Sequence, residues 1–453
     1  MQLPTGHTSG LTTAPHRRWT AATTGAALAL VLAAYGPGIP GASASPSVHS
    51  QASNDVSFTY GYYGNAVELN VYEKIISLYE STHPGVKISS TYDAPAQFLA
   101  KLPVLLRAGT QPDVVNVAES WVSLLQSTFH DFVNLDPYLK RASINESSFV
   151  PGTWAPGALD GQQLMLPNVV YGDAVAVNET LFQKYHVPLP SANWTSSQLL
   201  DDAEKLTQGA GSSKIWGIAA PLGPQSIAQL FGGQLFNHST NEMTATSPLA
   251  TKAITWMVDL VQKYKVTPVA SISYGATSGL VDPFLTGHAA MDMTYASYDQ
   301  SSDAQSIGNK FKWTLVPYPK DLHGVLQLNA TAIFKGPHNP PSKYAAEFDF
   351  IKWLSTNSAA LKVQGELSSP TYKPALQQWL AHPPADWAGV NRPATIAALS
   401  RSPYDYDGQA YTEVWTMFGN DVTSMIEGST SINAGIKAVQ SQGNSDLSAL
   451  RAP

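Results

Sequence analysis

The chain has no cysteine among its 453 residues. That absence removes disulfide scaffolds, thiolate nucleophiles, iron–sulfur clusters and cysteine-ligated zinc together. Charge is scarce too: Asp, Glu, Lys and Arg make up 13% of the sequence, about half the roughly 25% usual in soluble proteins. With a net charge of −7, the chain lacks the basic stripe that displaces counterions from nucleic acid, and no nucleic-acid partner is expected. Signatures of catalysis are missing as well, with no HExxH, no Walker loop and no GxSxG. The eleven histidines include no pair at metal-ligand spacing. Neither a metal nor a cofactor is expected.

What is present is apolar and aromatic. Apolar residues form 43% of the chain, with 20 tyrosines and 11 tryptophans, enough to fill two or three domain cores at roughly 100–200 residues each.

The first residues read as targeting. Arg17 and Arg18 precede the uncharged stretch from Trp19 to Ala34, which has the length of a signal-peptide core and is short for a spanning helix. Ala42-Ser43-Ala44 offers a cleavage site and Ser45–Ser53 a Ser/Pro-rich linker. The reading is therefore a signal peptide at 1–44, a linker at 45–54 and an exported mature chain; an uncleaved anchor and a twin-arginine signal are the alternatives. Leu32-Ala33-Ala34-Tyr35-Gly36 resembles a bacterial lipobox with Tyr35 where the lipidated cysteine belongs. Without a thiol, no thioether to diacylglycerol forms, so anchoring by that route is excluded.

Beyond residue 55, strand-like and helix-like patterns alternate. Val56–Tyr60, Val86–Tyr92 and Val114–Val117 read as strands. Between them, Val67, Val71, Tyr72, Ile75, Leu78 and Tyr79 repeat at helical spacing, and Ala96–Ala108 is a helix that Gly109 caps. This is an α/β unit. Further strands are expected at Leu164–Pro167, Ala174–Asn178, Met291–Thr294 and Thr314–Val316, with a possible linker at Asn168–Asp173. Helices are expected at Ser197–Thr207, Pro248–Tyr264, Lys343–Thr356 and Tyr411–Glu427.

The order of segments resembles the family 1 extracellular solute-binding proteins, the sugar-type receptors of ATP-driven (ABC) importers. The resemblance is carried by several local patterns. They are Val56–Gly64 with His83-Pro84-Gly85-Val86, Ala108-Gly109-Thr110-Gln111-Pro112-Asp113-Val114-Val115, and Asp160-Gly161 leading to Leu164-Met165-Leu166-Pro167 and Val177-Asn178. Asn193-Trp194-Thr195 before a helix, Phe284-Leu285-Thr286-Gly287-His288-Ala289-Ala290-Met291 and Tyr344–Leu354 complete the series. The resemblance implies a two-lobe α/β fold of the periplasmic-binding-protein type (type II), with a three-crossing hinge and a ligand cleft between the lobes. Carried onto this chain, lobe one is 55–168 plus 316–367 and lobe two 172–313 plus 372–453. The crossings fall near Asn168–Tyr171, Trp313–Pro317 and Ser368–Lys373.

A sugar presents hydroxyls at its edge and C–H groups on its faces, so its site needs aromatic platforms together with amides or carboxylates. In such folds ligands sit at the carboxyl ends of strands. Candidates by that rule are Tyr62 and Tyr63 after the first strand, Glu119 and Trp121 after the Val114–Val117 strand, and Asn168, Tyr171 and Asp173 at the first crossing. Tyr295 and Tyr298 lie where the family carries a stacking tryptophan, a departure in this chain. Asn329, Tyr372 and Trp415 complete the set. Trp194 and Trp256 fall at packing positions and are read as core.

The implied function is a monomeric, non-enzymatic receptor that captures a sugar or oligosaccharide and delivers it to the permease of an ABC importer. Polyols and other solutes remain open within the same fold. The alternative from another class is a secreted polysaccharide-degrading enzyme, with Glu119 and Asp173 as acid and base.

Overall fold

A computed structural model describes residues 56–172, 174–219, 228–237, 240, 242–269, 282–293, 300–324, 326–336, 339–383, 385–399 and 411–450. The expected leader and linker, Asp173, Tyr295 and Tyr298 lie outside these residues.

The alternating pattern of residues 56–118 folds as read. Strand β1 (Val56–Tyr63) leads to helix α1 (Ala66–Thr82), β2 (Val86–Asp93), α2 (Pro95–Ala108) and β3 (Val114–Ala118), followed at once by α3 (Glu119–Phe129). β1 pairs in parallel with both β2 and β3. Asn65 starts α1 with a capping box: its side chain accepts from the amides of Val67 and Glu68, and Glu68 reaches back to the Asn65 amide at 2.8 Å. Gly109 ends α2 in the left-handed region, at φ 68°.

The remaining principal strands are β4 (Met165–Gly172), β5 (Val175–Asn178), β6 (Trp216–Ile218), β7 (Ala289–Asp292), β8 (Trp313–Val316), β9 (Leu326–Ile333) and β10 (Ser369–Pro370). They complete two separate sheets, one of order β10-β4-β9-β3-β1-β2 and one of order β8-β5-β7-β6. Each sheet is buried on both faces, because successive strand residues point to opposite sides. In the first, Tyr60, Leu166 and Ile333 meet Ile75 and Phe350, while Val115, Val117 and Leu328 face Leu102 and Trp121. In the second, Val175, Val177 and Met291 pack with Met257, Val261 and Val422, and Ala176 and Leu315 pack with Trp387. Two sheets with separate cores make two lobes.

Helix Pro248–Gln262, expected from the sequence, buries Ala253, Ile254, Met257, Val258 and Val261 along one face. Trp194 is buried, and its Nε1 donates to the Pro317 carbonyl at 2.7 Å.

Three segments follow a different path from the sequence reading. Asn168–Gly172 is not a linker but the second half of β4, with every residue buried and paired to β9 as far as Gly172 opposite Leu326. Its polar and glycine composition suggests a loop, yet burial between β9 and β10 overrides that local preference. Trp313–Val316, where a crossing is expected, is an edge strand of the second sheet. The main chain stays with that lobe as far as His323, whose amide bonds Leu230 O at 2.9 Å. After β10, helix Lys373–Ala381 still packs on the first lobe, through Trp379 Nε1 to Gly365 O at 2.9 Å.

Candidate functional site

Topology brings the carboxyl ends of β1, β3 and β4 to one edge of the first sheet. β9 runs antiparallel to both β3 and β4 and enters the sheet at that edge. The chain also leaves for the second sheet there, between Gly172 and Val175. In the second sheet, β6, β7 and β8 run opposite to β5, so their carboxyl ends lie at the level where β5 begins. Both sheets therefore turn the ends that bind ligands in open α/β folds toward the passage between lobes.

On the first lobe this edge carries a connected polar and aromatic wall whose members, Tyr63, Trp121, Tyr171 and Asn329, are all buried. The Tyr63 hydroxyl donates to Asn329 Oδ1 at 2.6 Å, and Asn329 Nδ2 donates to the Tyr171 hydroxyl at 3.1 Å. The amide is thus oriented from both sides. The Trp121 ring lies 4.5 Å from Tyr63, with Phe98 behind both. A β-bulge between Asn329 and Ala330 sets the register here. Beside this wall, Glu119 is 1% exposed and its Oε2 accepts the Leu328 amide at 2.6 Å. The last β3–β9 pair is Ala118 with Asn329, so Leu328 lies beyond the end of β3 and the carboxylate takes the place of the missing strand.

Tyr63, Glu119, Trp121, Tyr171 and Asn329 therefore come together. The other described candidates do not. Tyr62 is fully enclosed on the opposite face of the sheet, against Tyr72, with its hydroxyl on Glu73 Oε1 at 3.3 Å. Neighbours on a strand cannot both face one side. Burial, and next the nearby Glu73 charge, raise the Tyr62 phenol above its ordinary range. Asn168 is fully buried mid-sheet, four positions back from Gly172 or roughly 13 Å at the rise of a strand. Its Oδ1 accepts from the Thr331 hydroxyl at 2.9 Å. Tyr372 is half-buried and also away from that edge: the amide before it, at Thr371, bonds Asn168 O, and its own ring packs on Phe149. Trp415 lies in helix Tyr411–Ile426, and its side chain is outside the described ones.

Two groups at these strand ends escaped the sequence reading. Tyr92, at the end of β2, stacks nearly parallel on Tyr62 yet is 53% exposed. The strand-end rule that selected Tyr63 and Trp121 would have found it. On the second lobe, Asp292 is buried at the end of β7. Its side chain bonds that of Asp282, whose carboxyl is raised by burial despite that bond and an amide from Phe284. The signal was the Met291-Asp292 end of the glycine-containing motif, just before the tyrosines chosen instead.

Solved structures share this architecture. An ABC substrate-binding protein from Listeria monocytogenes in complex with cycloalternan superposes with a TM-score of 0.72 at 20% identity, covering 86% of this chain and 99% of its own. Maltose-bound MalE3 of T. maritima gives 0.69 at 20% identity, over 87% and 100%. The mannobiose-bound protein CpMnBP1 gives 0.70 at 19% identity, over 86% and 100%. In sequence, a binding protein of Brucella abortus (strain 2308) is 26% identical over 153 residues, 32% of this chain; the match spans about a third (34%) of that relative's length. Among the described residues, no helix is long and apolar enough to cross a membrane. The family model for bacterial extracellular solute-binding proteins matches residues 63–361, well over half of the sequence, and the chain belongs to that family.

Proposed function

We propose that the protein is an exported receptor that holds a neutral sugar or oligosaccharide between its lobes and passes it to the permease of an ABC importer. The observation that carries the reading is the wall of Tyr63, Asn329, Tyr171 and Trp121 at the strand ends beside the passage between lobes. An oriented carboxamide pairs with ring hydroxyls, and the Tyr63 and Trp121 rings, tilted 39° to each other, supply apolar surface for C–H faces. Three similar folds with a bound sugar support the same ligand class. Ligand touching both lobes favours the closed form over the open one, and that difference in affinity drives closure. No bond of the ligand needs to break.

Tyr35 at the lipobox position fits a monomeric receptor that is not lipidated through the usual cysteine. The enzyme alternative loses support because one oxygen of Glu119 is committed to the Leu328 amide inside a closed environment. Calorimetric titration with a panel that includes maltose, maltotriose, mannobiose and cycloalternan tests the proposal. Saturable binding with no release of reducing ends is the expected result. Failure of every sugar to bind, or turnover of any of them, overturns it.

A further inference from the structure

Residues 385–399 form a strap that touches both lobes. Trp387 packs edge-on against Trp313 of β8 at 5.6 Å, the Asn391 amide donates to Thr314 Oγ1 at 3.0 Å, and Asn391 Nδ2 donates to Leu315 O at 3.2 Å. These contacts belong to the second lobe. At its other end, Leu399 packs with the first-lobe cluster and Thr395 lies against Gly172 and Ser369. Arg392 sits between these ends. It is 2% exposed, and its Nε, Nη1 and Nη2 have no hydrogen-bond partner among the described residues. Its guanidinium carbon lies 3.3 Å from the centroid of Trp379, a first-lobe indole held by Gly365, and 5.9 Å from Trp387 of the second lobe.

A buried cation without acceptors is costly, and among the described residues the two indole faces are what compensate it. Burial alone pushes this guanidinium down to about 10. We propose that Arg392 is a poising group for the hinge: clamped between one indole from each lobe, it holds the lobes at this angle only marginally and so leaves the hinge free to move. If Trp387 withdraws as the lobes rotate, water reaches the three nitrogens and repays the lost π contact. The side chain thus has two alternative environments, one for each relative placement of the lobes, which is the kind of element that biases a conformational equilibrium. The inference rests on the two-lobe fold and not on the identity of the ligand.

The absence of cysteine allows a clean test without ligand. Ser81→Cys on α1 and Gln183→Cys in the second lobe, both at exposed positions, carry spin labels as the only thiols, and electron–electron resonance reads the distance between lobes. Arg392→Met keeps the packing and removes the desolvation cost, so the share of molecules at the distance of the present arrangement rises by roughly tenfold relative to the rest. Arg392→Lys keeps the charge but loses the planar stack, and shifts the distribution the other way. Thermal melts confirm that each variant folds. Distributions that superpose on the native one, or that move in the same sense for both variants, overturn the proposal. Because no sugar is added, a failure here is distinct from a failure of the sugar reading.

Discussion

The Glu119 carboxylate takes the Leu328 amide at 2.6 Å, and a side chain thereby extends a ladder that β3 no longer supplies. Glu119→Ala leaves that amide unpaired in a buried place and costs about 1–3 kcal/mol of stability. Glu119→Gln retains an acceptor and costs less than half as much. Urea denaturation of the two variants checks the order. Equal losses would show that the carboxylate charge, and not the accepted bond, is what matters.

Asn329 is the joint between the Tyr63 and Tyr171 hydroxyls. Asn329→Leu fills similar space but orphans both hydroxyls and removes the oriented amide from the wall. Affinity for whichever oligosaccharide binds native protein is expected to fall roughly tenfold or more, the equivalent of about 1.4 kcal/mol. Tyr372→Phe, half-buried against Phe149 and away from the wall, leaves affinity unchanged. Titration calorimetry on both variants separates the wall from residues outside it.

How far the site was legible follows from the same residues. A strand-end rule picks out Tyr63, Glu119 and Trp121, which the fold brings together, because their strands are short, apolar and sharply bounded, so their last residues can be counted from the sequence. Tyr62 and Asn168, chosen by the same rule, lie apart from that group for a geometric reason. Which face a residue takes depends on strand register, and β4 continues through a stretch whose composition reads as a turn. The lobes themselves were legible in the order of segments. The path of the strap was not: Arg392 and its two indoles are brought together by packing between lobes, and no local pattern announces such a contact.

Stability should also depend on pH through Glu347. This residue is fully buried on helix Pro341–Thr356. Desolvation, and next the Asp113 charge, push its carboxyl up to about 8 despite Lys343 at 3.9 Å. Lys343 is instead bound to Asp113 at 2.6 Å. A folded-state value above the unfolded one means that the folded protein holds a proton the unfolded chain releases. Its contribution is complete below about 4.5 and drains away as pH rises to about 8, by at most about 1.4 kcal/mol for each unit. Asp113 is shifted downward by its partners Lys343 and Thr59, which outweigh its burial, and acts only on the acid side of this window. Denaturation midpoints at pH 5, 6.5 and 8 should therefore fall in the native protein and stay flatter in Glu347→Gln; parallel curves would refute the assignment.

Gly172, the last residue of β4, tests whether the strap and the hinge are mechanically joined. A Cβ there would stand 2.3 Å from Thr395 O and 3.3 Å from Thr395 C. These are main-chain atoms of a short helix and cannot swing aside as a flexible side chain could. Gly172→Ala must push the strap outward, at a cost of about 1–3 kcal/mol. Gly109→Ala provides the contrast, because nothing lies within 4 Å of its Cβ. Its penalty is the left-handed backbone alone, about 1 kcal/mol, at a helix end far along the chain from the strap. Both variants should melt below the native protein, but only Gly172→Ala should change the inter-lobe distance between labels at positions 81 and 183. An unchanged distance in Gly172→Ala would mean that the strap follows the lobes passively, and that their angle is set elsewhere.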